Sequence, residues 1–332
     1  MIVLAVESSC DETSVSINRD GKEILTNIVL SQIDVHKQYG GVVPEIASRE
    51  HIKGVTMVFE EALKESKIKR SEIDLVAVTK GPGLIGSLLI GVNAAKAFAF
   101  ANDIPIIGVH HIAGHIYANA ITKDLVFPLV CLVVSGGHTE LILMKEHYDF
   151  QKLGETMDDA VGEAYDKIAR TVGLGYPGGP VVDKLAFEGI PSYKMPDISM
   201  GNTYNFSFSG IKSHVINLVH NLKQRNEELN IPDLCASFQK TVSEVLVSKS
   251  IRAIKEYNAK MFIIAGGVAA NKGLRARISE KITDVEVLVP EFKYCTDNAA
   301  MIGIAGYHLY KKTHKTDDMT LNGSSRVKLQ EY

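Results

Sequence analysis

The sequence predicts an α/β fold built from two similar lobes, because two kinds of segment each occur twice along the chain. The 332 residues are enough for two domains of ordinary size. A polar turn joins two apolar strands at residues 2–17 and again at 129–144. A strand, a glycine turn and a helical pattern follow later in each half, at 75–102 and 261–282. Such repetition is typical of an internal duplication.

The first repeated segment is a hairpin with a polar tip. Residues 2–6 are apolar, residues 7–13 read ESSCDET, and alternating apolar residues follow. Residues 129–134 are apolar in the same way and lead into the polar turn SGGHTE at 135–140. Apolar runs that resume after a polar turn predict antiparallel strand pairs.

The second repeated segment is a strand that enters a helix through glycines. An apolar run at 75–79 leads through Gly81–Gly83 into a helical pattern, and a run at 261–265 leads through Gly266–Gly267 into another. Two such lobes, with mixed sheets flanked by helices, indicate the actin-like (ribonuclease H-like) ATPase class, in which each lobe holds part of a nucleotide. An α/β repeat without a nucleotide is the alternative.

The same pattern predicts the domain boundaries. We expect a first lobe over 1–125, completed by a helix at about 298–312, and a second lobe over 126–297. The second half is longer between its hairpin and its glycine turn, so we place an insertion at about 158–230. Residues 313–332 form a polar tail with almost no apolar periodicity, and we expect this tail to be frayed.

Composition limits the surroundings and partners of the protein. With 36 Lys and Arg against 39 Asp and Glu, the net charge of −3 provides no overall positive field for a nucleic acid. A nucleic-acid substrate therefore needs a local patch or a partner subunit. Four separated cysteines without a CxxC pair fit a reducing compartment. The most apolar stretches are too short for a membrane span, so we expect a cytoplasmic protein with no membrane contact.

Residues 110–115, HHIAGH, contain the strongest metal-binding signal. On a helix, His111 and His115 stand at i and i+4, where both rings can reach one metal ion. Asp297 is the best third ligand, and two histidines with one carboxylate suit Fe(II) or Zn(II). Histidines at a helix start also act as caps or surface residues, and Asp297 could be a plain helix N-cap.

Three further segments have features of an anion or nucleotide site. Residues 135–138 offer consecutive backbone N–H groups, which can hold a phosphate or an oxyanion but also suit a tight turn. Asn271 lies at a glycine-rich helix start and could contact adenine or ribose. Asp166 and Asp183 lie on either side of a glycine loop and suit ribose hydroxyls, although surface salt bridges explain them equally well.

Nine motifs follow one another along the chain: ESSCDET, GGVVPEIASREH, GPGLIGSLLIG, HHIAGH, SGGHTEL, YPGGP, FSFSGIK, GGVAAN and TDNAAM. Their order resembles one family, the bacterial tRNA N6-adenosine threonylcarbamoyltransferases, historically labelled sialoglycoprotein endopeptidases. The resemblance runs from residue 2 to about residue 310. Some members carry an acidic residue where this chain has Ala113.

The resemblance implies roles for individual residues. Asp11 and Glu12 lie in the first-hairpin motif and are candidate catalytic residues. The implied metal ligands are His111, His115 and Asp297. The implied binding positions for the activated donor are Val134, Ser135, Gly136, Gly137, His138, Asp166, Gly179, Asp183 and Asn271.

The resemblance also implies an activity and partners. Family members transfer the threonylcarbamoyl group from threonylcarbamoyl-AMP to N6 of the adenosine 3′ to the anticodon, in tRNAs that read codons beginning with A. Besides tRNA, the implied partners are a shorter, inactive paralogue and a small P-loop ATPase.

Two other functions remain as alternatives. A metalloprotease would use the HxxxH pattern, but the chain has Ile112 where the protease motif HExxH has its glutamate. An actin-like small-molecule kinase would use the duplicated hairpins. Two histidines and an aspartate are, however, not the ligands with which such kinases hold Mg²⁺ and ATP.

Overall fold

The structure is a computed structural model that describes residues 1–331. The chain forms two compact units. Unit 1 comprises Met1–Leu125, Glu146–Phe150 and the chain from Pro290 onward, and unit 2 comprises Val126–Lys145 and Gln151–Val289.

Both units contain strands and helices. The strands are β1 (Ile2–Glu7), β2 (Glu12–Arg19), β3 (Glu23–Ser31), β4 (Leu75–Gly81), β5 (Ile106–His110), β6 (Leu129–Val134), β7 (Thr139–Met144), β8 (Phe150–Glu155), β9 (Met261–Ala265) and β10 (Glu286–Leu288). The α-helices are α1 (Ile33–Lys37), α2 (Pro44–Ser66), α3 (Ile85–Ala101), α4 (His111–Tyr117), α5 (Val161–Thr171), α6 (Gly178–Ala186), α7 (Ser209–Gln224), α8 (Ile231–Glu256), α9 (Lys272–Lys281) and α10 (Ala299–Thr313).

Each unit contains one mixed sheet with the same strand order. In unit 1 the order is β3-β2-β1-β4-β5. Strand β2 pairs antiparallel with both β1 and β3, whereas β4 is parallel to β1 and β5 is parallel to β4. In unit 2 the order is β8-β7-β6-β9-β10, with an antiparallel β6–β7 hairpin and parallel β9 and β10. The predicted duplication of hairpin and strand–glycine–helix is confirmed.

The central strands are buried on both faces because helices pack against the sheets. Every residue of β6 is buried, and so is every residue of β1 after Ile2. In unit 1, Gly303 of α10 approaches Ala5 closely, and a Cβ on Gly303 would lie 3.2 Å from the Ala5 side chain. Strands covered in this way read as continuous apolar runs, which is how both were recognised in the sequence.

The segment 158–230, for which we predict an insertion, contains α5, α6 and α7. Among residues 1–331, no helix is both long and apolar enough to cross a membrane.

The prediction that the tail is frayed is wrong. Residues 314–331 pack onto unit 1, where the Asp317 amide donates to the Ile106 carbonyl at 2.8 Å. Leu321 is only 7% exposed and belongs to the core of this unit. Apolar periodicity does not reveal this anchoring, because it rests on two isolated buried leucines, Leu321 and Leu329, and on a few hydrogen bonds to β4 and β5.

Candidate metal and donor-binding sites

Helix α4 brings His111 and His115 together as predicted. Strand β5 ends at His110 and the helix begins at the next residue. The two rings lie with their centroids 4.6 Å apart in an edge-on arrangement. Both histidines are buried, with 8% and 1% of their surface exposed, so they are not surface residues.

Asp297 lies directly before α10 and completes the group. Its Oδ1 is 3.1 Å from His115 Nε2 and 3.5 Å from His111 Nε2. The alternative in which Asp297 caps the helix is wrong, because the Asn298 side chain accepts the hydrogen bond from the Met301 amide. One ligand atom from each of the three residues lies within 4.8 Å of the others.

The chemistry of this group fits a metal ion. Both ring nitrogens of His115 are buried and have no hydrogen-bond partner among the described residues. The 3.1 Å approach of its Nε2 to Asp297 therefore brings two ligand atoms together without a hydrogen bond. Leaving a buried imidazole without a partner costs free energy, which metal coordination would recover. The group could hold a divalent ion with open coordination positions.

Glu7 lies beneath His111 and was not singled out in the sequence. Its side chain is fully buried, and Oε2 is 3.2 Å from His111 Nδ1. The Thr79 hydroxyl donates to the same carboxylate, and Ser9 Oγ also lies 3.1 Å from His111 Nδ1. The available signal was the position of Glu7, the acidic residue that ends a buried strand and opens the ESSCDET motif.

The electrostatics of this pair favour an ionised carboxylate beside a protonated ring. Burial opposes a charge on His111, but the carboxylates of Asp297 and Glu7 outweigh burial and raise the pKa of His111 to about 9. Burial also opposes ionisation of Glu7, but the charge and hydrogen bond of His111 hold the pKa of Glu7 below its ordinary value. A metal ion on Nε2 would displace the proton there, while the Glu7 carboxylate keeps the proton on Nδ1, the arrangement common behind metal-ligating histidines.

The candidate catalytic residues Asp11 and Glu12 lie at the tip of the first hairpin, also in unit 1. Burial, followed by the charges of Asp297 and Asp11, raises the pKa of Glu12 to about 10. Glu12 is hydrogen-bonded to Asp11, and Ser31 Oγ donates to Glu12 Oε1 at 3.1 Å. Burial and the neighbouring carboxylates therefore favour the protonated form of Glu12.

Unit 2 contains the predicted donor-binding residues, and the turn after Val134 has its own hydrogen bonds. Ser135 Oγ accepts from the amides of Gly137 at 3.3 Å and His138 at 3.0 Å. The glycine-rich sequence led us to expect free amides here. The Gly137 and His138 amides instead donate to the Ser135 side chain. The turn is open on its outer side, because no atom lies within 4 Å of where a Cβ would stand on Gly136 or Gly137.

Asp166 anchors the start of α6. Its Oδ1 accepts from the Gly178 amide at 2.7 Å, and the Gly179 amide also donates to this carboxylate. Burial raises the pKa of Asp166 even though these hydrogen bonds favour the charged form. As at the hairpin turn, the space at Gly179 is open.

Asp183 and Asn271 meet at the start of α9. Asp183 accepts from the amides of Lys272 and Gly273 at 2.9 and 3.0 Å, and Asn271 Oδ1 accepts from the Leu274 amide at 2.7 Å. The Asn271 side chain also donates to Gln239 Oε1 at 3.1 Å. The sequence did not indicate Gln239 as a site residue. Asp183 is therefore a buried carboxylate held by backbone amides, and it forms no salt bridge with any residue in the described part of the chain.

Comparisons with solved structures support the fold. The chain aligns with full-length HypF at a TM-score of 0.61 and 13% identity, covering 95% of this chain and 47% of HypF. It also aligns with (R)-2-hydroxyglutaryl-CoA dehydratase component A from Acidaminococcus fermentans at 0.55 and 16% identity, covering 95% and 100%. These neighbours have the actin-like ATPase fold, so the predicted fold class is confirmed.

Sequence comparisons identify the family. A sequence model of TsaD, tRNA N6-adenosine threonylcarbamoyltransferase, matches residues 23–304. The proteins of that name from Staphylococcus saprophyticus and Staphylococcus aureus (strain JH9) are 58% and 56% identical to this chain. The alignments cover 99% and 100% of this chain and 97% and 98% of the two relatives. The chain therefore belongs to the tRNA N6-adenosine threonylcarbamoyltransferase family of tRNA-modifying acyltransferases.

Proposed function

We propose that the protein transfers the threonylcarbamoyl group from threonylcarbamoyl-AMP to N6 of the adenosine 3′ to the anticodon, in tRNAs that read codons beginning with A. The observation that carries the proposed site is the buried group of His111, His115 and Asp297. N6 of adenine is a weak nucleophile because its lone pair is delocalised into the ring, so the protein must activate the donor and orient the amine.

The three ligand candidates would hold one Fe(II) or Zn(II) ion. Such an ion, when bound, supplies a Lewis acid with open positions for an acyl or phosphate oxygen. Glu7 keeps the proton of His111 on Nδ1, so Nε2 is available as a ligand atom. The buried position of His115, without hydrogen-bond partners, supports the same role.

Asp11 and Glu12 would handle the proton that leaves the amine. At neutral pH, Glu12 carries a proton, since its pKa is raised to about 10, and it can donate a hydrogen bond to the donor. The neighbouring carboxylate of Asp11 is the candidate acceptor of the amine proton. Before the reaction the pair holds one proton, on Glu12, and the transfer from the amine would add a second, on Asp11.

Unit 2 would hold the adenylate part of the donor. The turn at Val134–His138 and the backbone at Gly179 are open to a ligand, and Asp166, Asp183 and Asn271 fix the helix starts beside which it would bind. Amides at helix starts favour anionic groups. Ser135 Oγ occupies two of the turn amides, so a phosphate there would replace these hydrogen bonds.

The partners and compartment follow from the reaction. With a net charge of −3, the chain has little long-range attraction for tRNA, so we propose that a shorter, inactive paralogue and a small P-loop ATPase complete the docking surface. A tRNA substrate places the protein in the cytoplasm. The target base lies in a single-stranded loop and can enter a site without opening a duplex.

The alternatives have no support from the relatives. The position of the protease glutamate is occupied by Ile112, which is 2% exposed and contributes no general base. The curated relatives are named as transferases that act on tRNA, neither as proteases nor as small-molecule kinases.

The test is a complete modification assay. The protein, its partners, the donor-forming synthase, threonine, bicarbonate, ATP and unmodified tRNA are incubated, and the nucleosides are analysed by mass spectrometry. We expect N6-threonylcarbamoyladenosine with the unchanged protein and with His220→Ala, an exposed histidine on α7. We expect none with His115→Ala. Failure of the unchanged protein, where a relative succeeds with the same partners, would overturn the proposal.

A further inference from the structure

The tail, residues 314–331, lies along the outer strand β5 and reaches the residue that precedes the metal-ligand candidates. Near the start of β5, Asp317 bonds to Ile106 and its Oδ2 accepts from the Gly108 amide at 2.7 Å. Further along, the Ser324 amide donates to the Lys80 carbonyl at 2.7 Å, near the end of β4. The tail therefore follows the edge of the sheet toward the end that carries α4.

The contact at that end is made through the ring of His110. Its Nε2 lies 3.0 Å from the carbonyl oxygen of Val327, and its Nδ1 accepts from the Ile112 amide at 3.1 Å. A carbonyl can only accept and an amide can only donate. The neutral ring with its hydrogen on Nε2 therefore satisfies both contacts. The ring is 2% exposed, so it forms a buried link between the tail and α4.

The His110 ring contacts α4, a short helix that needs a hydrogen-bond acceptor for its first amides. Helix α4 has only seven residues, and two of them are the metal-ligand candidates His111 and His115. Short helices are marginal by themselves, and their first amides require an acceptor from outside the helix. His110 provides that acceptor and lies next to His111 in the chain, so the position of its ring determines where the first ligand stands.

A second set of contacts leads from the tail to His111. A Cβ on Gly81 would lie 2.0 Å from the Ser324 carbonyl oxygen and 2.9 Å from the Val327 side chain, so the tail lies directly on this turn. Leu84 follows this turn, and its amide donates to the Ser9 carbonyl at 2.7 Å. Ser9 Oγ is in turn 3.1 Å from His111 Nδ1.

We propose that the tail positions the metal-ligating helix, with the Val327 carbonyl and the His110 ring as the connection. His110 is a positioning residue, since it would contact neither the metal nor the substrate. The proposal rests on the metal site proposed above, and it assigns a function to a segment that lies beyond the residues matched by the family model.

The test breaks the contact between the Val327 carbonyl and the His110 ring from each of its two sides. A truncation after Ser324 removes the Val327 carbonyl but keeps the Asp317 and Leu321 contacts, and His110→Ala removes the ring. Lys328→Ala is the control, because this side chain is exposed and the substitution leaves the backbone in place. The affinity for Co²⁺ is measured by competition with a chelator, at a temperature where circular dichroism shows each variant to be folded.

We expect the truncation and His110→Ala each to weaken Co²⁺ binding by about 10-fold, the lower end of the range for groups that orient metal ligands. The combined variant should be no weaker than the truncation alone, because the truncation already removes the carbonyl that the His110 ring contacts. Unchanged affinity, or losses that multiply in the combined variant, would overturn the proposal. If the truncated chain is not folded, His110→Ala carries the test alone.

Hydrogen exchange without metal separates this proposal from the metal site. The Ile112 amide should be protected in the unchanged protein and in Lys328→Ala, and should exchange faster after truncation or His110→Ala. If the unchanged protein binds no Co²⁺, the proposed metal site is wrong and the exchange data decide the role of the tail. Equal protection of the Ile112 amide in all variants would then overturn the proposed role of the tail.

Discussion

Glu7 Oε2 lies 3.2 Å from His111 Nδ1, although 103 other residues separate the two in the chain. The contact joins the end of β1 to the start of α4 and sets which ring nitrogen of His111 faces Asp297. It also accounts for the acidic residue at the end of the buried strand β1, because the Glu7 carboxylate contacts the His111 ring there.

The first prediction concerns this carboxylate. Glu7→Gln keeps the size of the side chain but removes the charge that holds a proton on His111 Nδ1. We expect metal affinity to fall by about 10- to 100-fold, as for other groups that orient a ligating histidine. Competition titration with a chelator measures the effect, and Glu65→Gln, on the exposed surface of α2, is the control. Equal affinity in the two variants would remove Glu7 from the site.

The second prediction distinguishes the two histidines. Either His111→Ala or His115→Ala should abolish metal binding, measured by elemental analysis. Only His111→Ala leaves buried Glu7 without its positive partner, whereas the ring nitrogens of His115 have no hydrogen-bond partner to lose. We therefore expect His111→Ala to be less stable than His115→Ala by about 1–3 kcal/mol. Equal thermal stability of the metal-free variants would contradict the proposed coupling.

The third prediction is a pH dependence of stability. The His308 ring stacks on His147 at 4.5 Å, and burial together with the charge of His147 lowers the pKa of His308 to about 4. An unfolded histidine titrates at about 6.5, so between these values the unfolded chain binds the proton more readily. Stability is therefore lost as the pH falls from about 6.5 toward 4.

We expect the free energy of unfolding at pH 5 to be lower than at neutral pH by about 1 kcal/mol, a value reduced to allow for the partial exposure of the His308 ring. His308→Gln should flatten the dependence of unfolding temperature on pH between about 7 and 5. His220→Ala, which changes an exposed histidine, should leave it unchanged. If His308→Gln showed the same dependence of unfolding temperature on pH as the unchanged protein, another group would be responsible for the loss of stability at low pH.

The fourth prediction concerns Asn271, which has two functions in the structure. Its Oδ1 caps α9 and its Nδ2 donates to Gln239, so Asn271→Ala should cost about 1 kcal/mol of stability through the lost cap. The same variant should weaken AMP binding by about 1–3 kcal/mol if the residue lies at the donor site. Asn271→Ser retains a capping oxygen and separates the two effects. Calorimetry that shows unchanged AMP affinity in both variants would exclude Asn271 from the site.

The sequence predicted what depends on local spacing. The two hairpins follow from apolar runs around polar turns, and the His111–His115 pair follows from helical periodicity. Asp297 could be named only as the best third ligand, because its approach to α4 depends on the packing of α10. Glu7, the Ser135 hydroxyl that closes its own turn, and the anchored tail were missed because each depends on a contact that periodicity does not report.

The last prediction concerns tRNA binding. Two segments of the sequence, 64–70 and 311–315, are rich in basic residues. Segment 311–315 is partly neutralised, since Lys312 pairs with Glu146 at 2.7 Å. In the other segment, Lys64, Lys69 and Arg70 are exposed around an open groove of about 700 Å³. We therefore expect the groove to contribute more to phosphate contacts than the segment at 311–315.

We expect the isolated chain to bind unmodified tRNA weakly at physiological salt, with affinity that falls steeply as salt rises, because phosphate contacts release counterions. Replacing both Lys69 and Arg70 by Ala should lower the slope of log affinity against log salt by about 2, or roughly one per lost phosphate contact. Filter binding across a salt series, with and without partner proteins, measures this. Lys312→Ala is the control, since its ammonium group is already paired and its loss should change the slope least. Tight, salt-insensitive binding by the isolated chain would show that its recognition of tRNA does not depend on phosphate contacts.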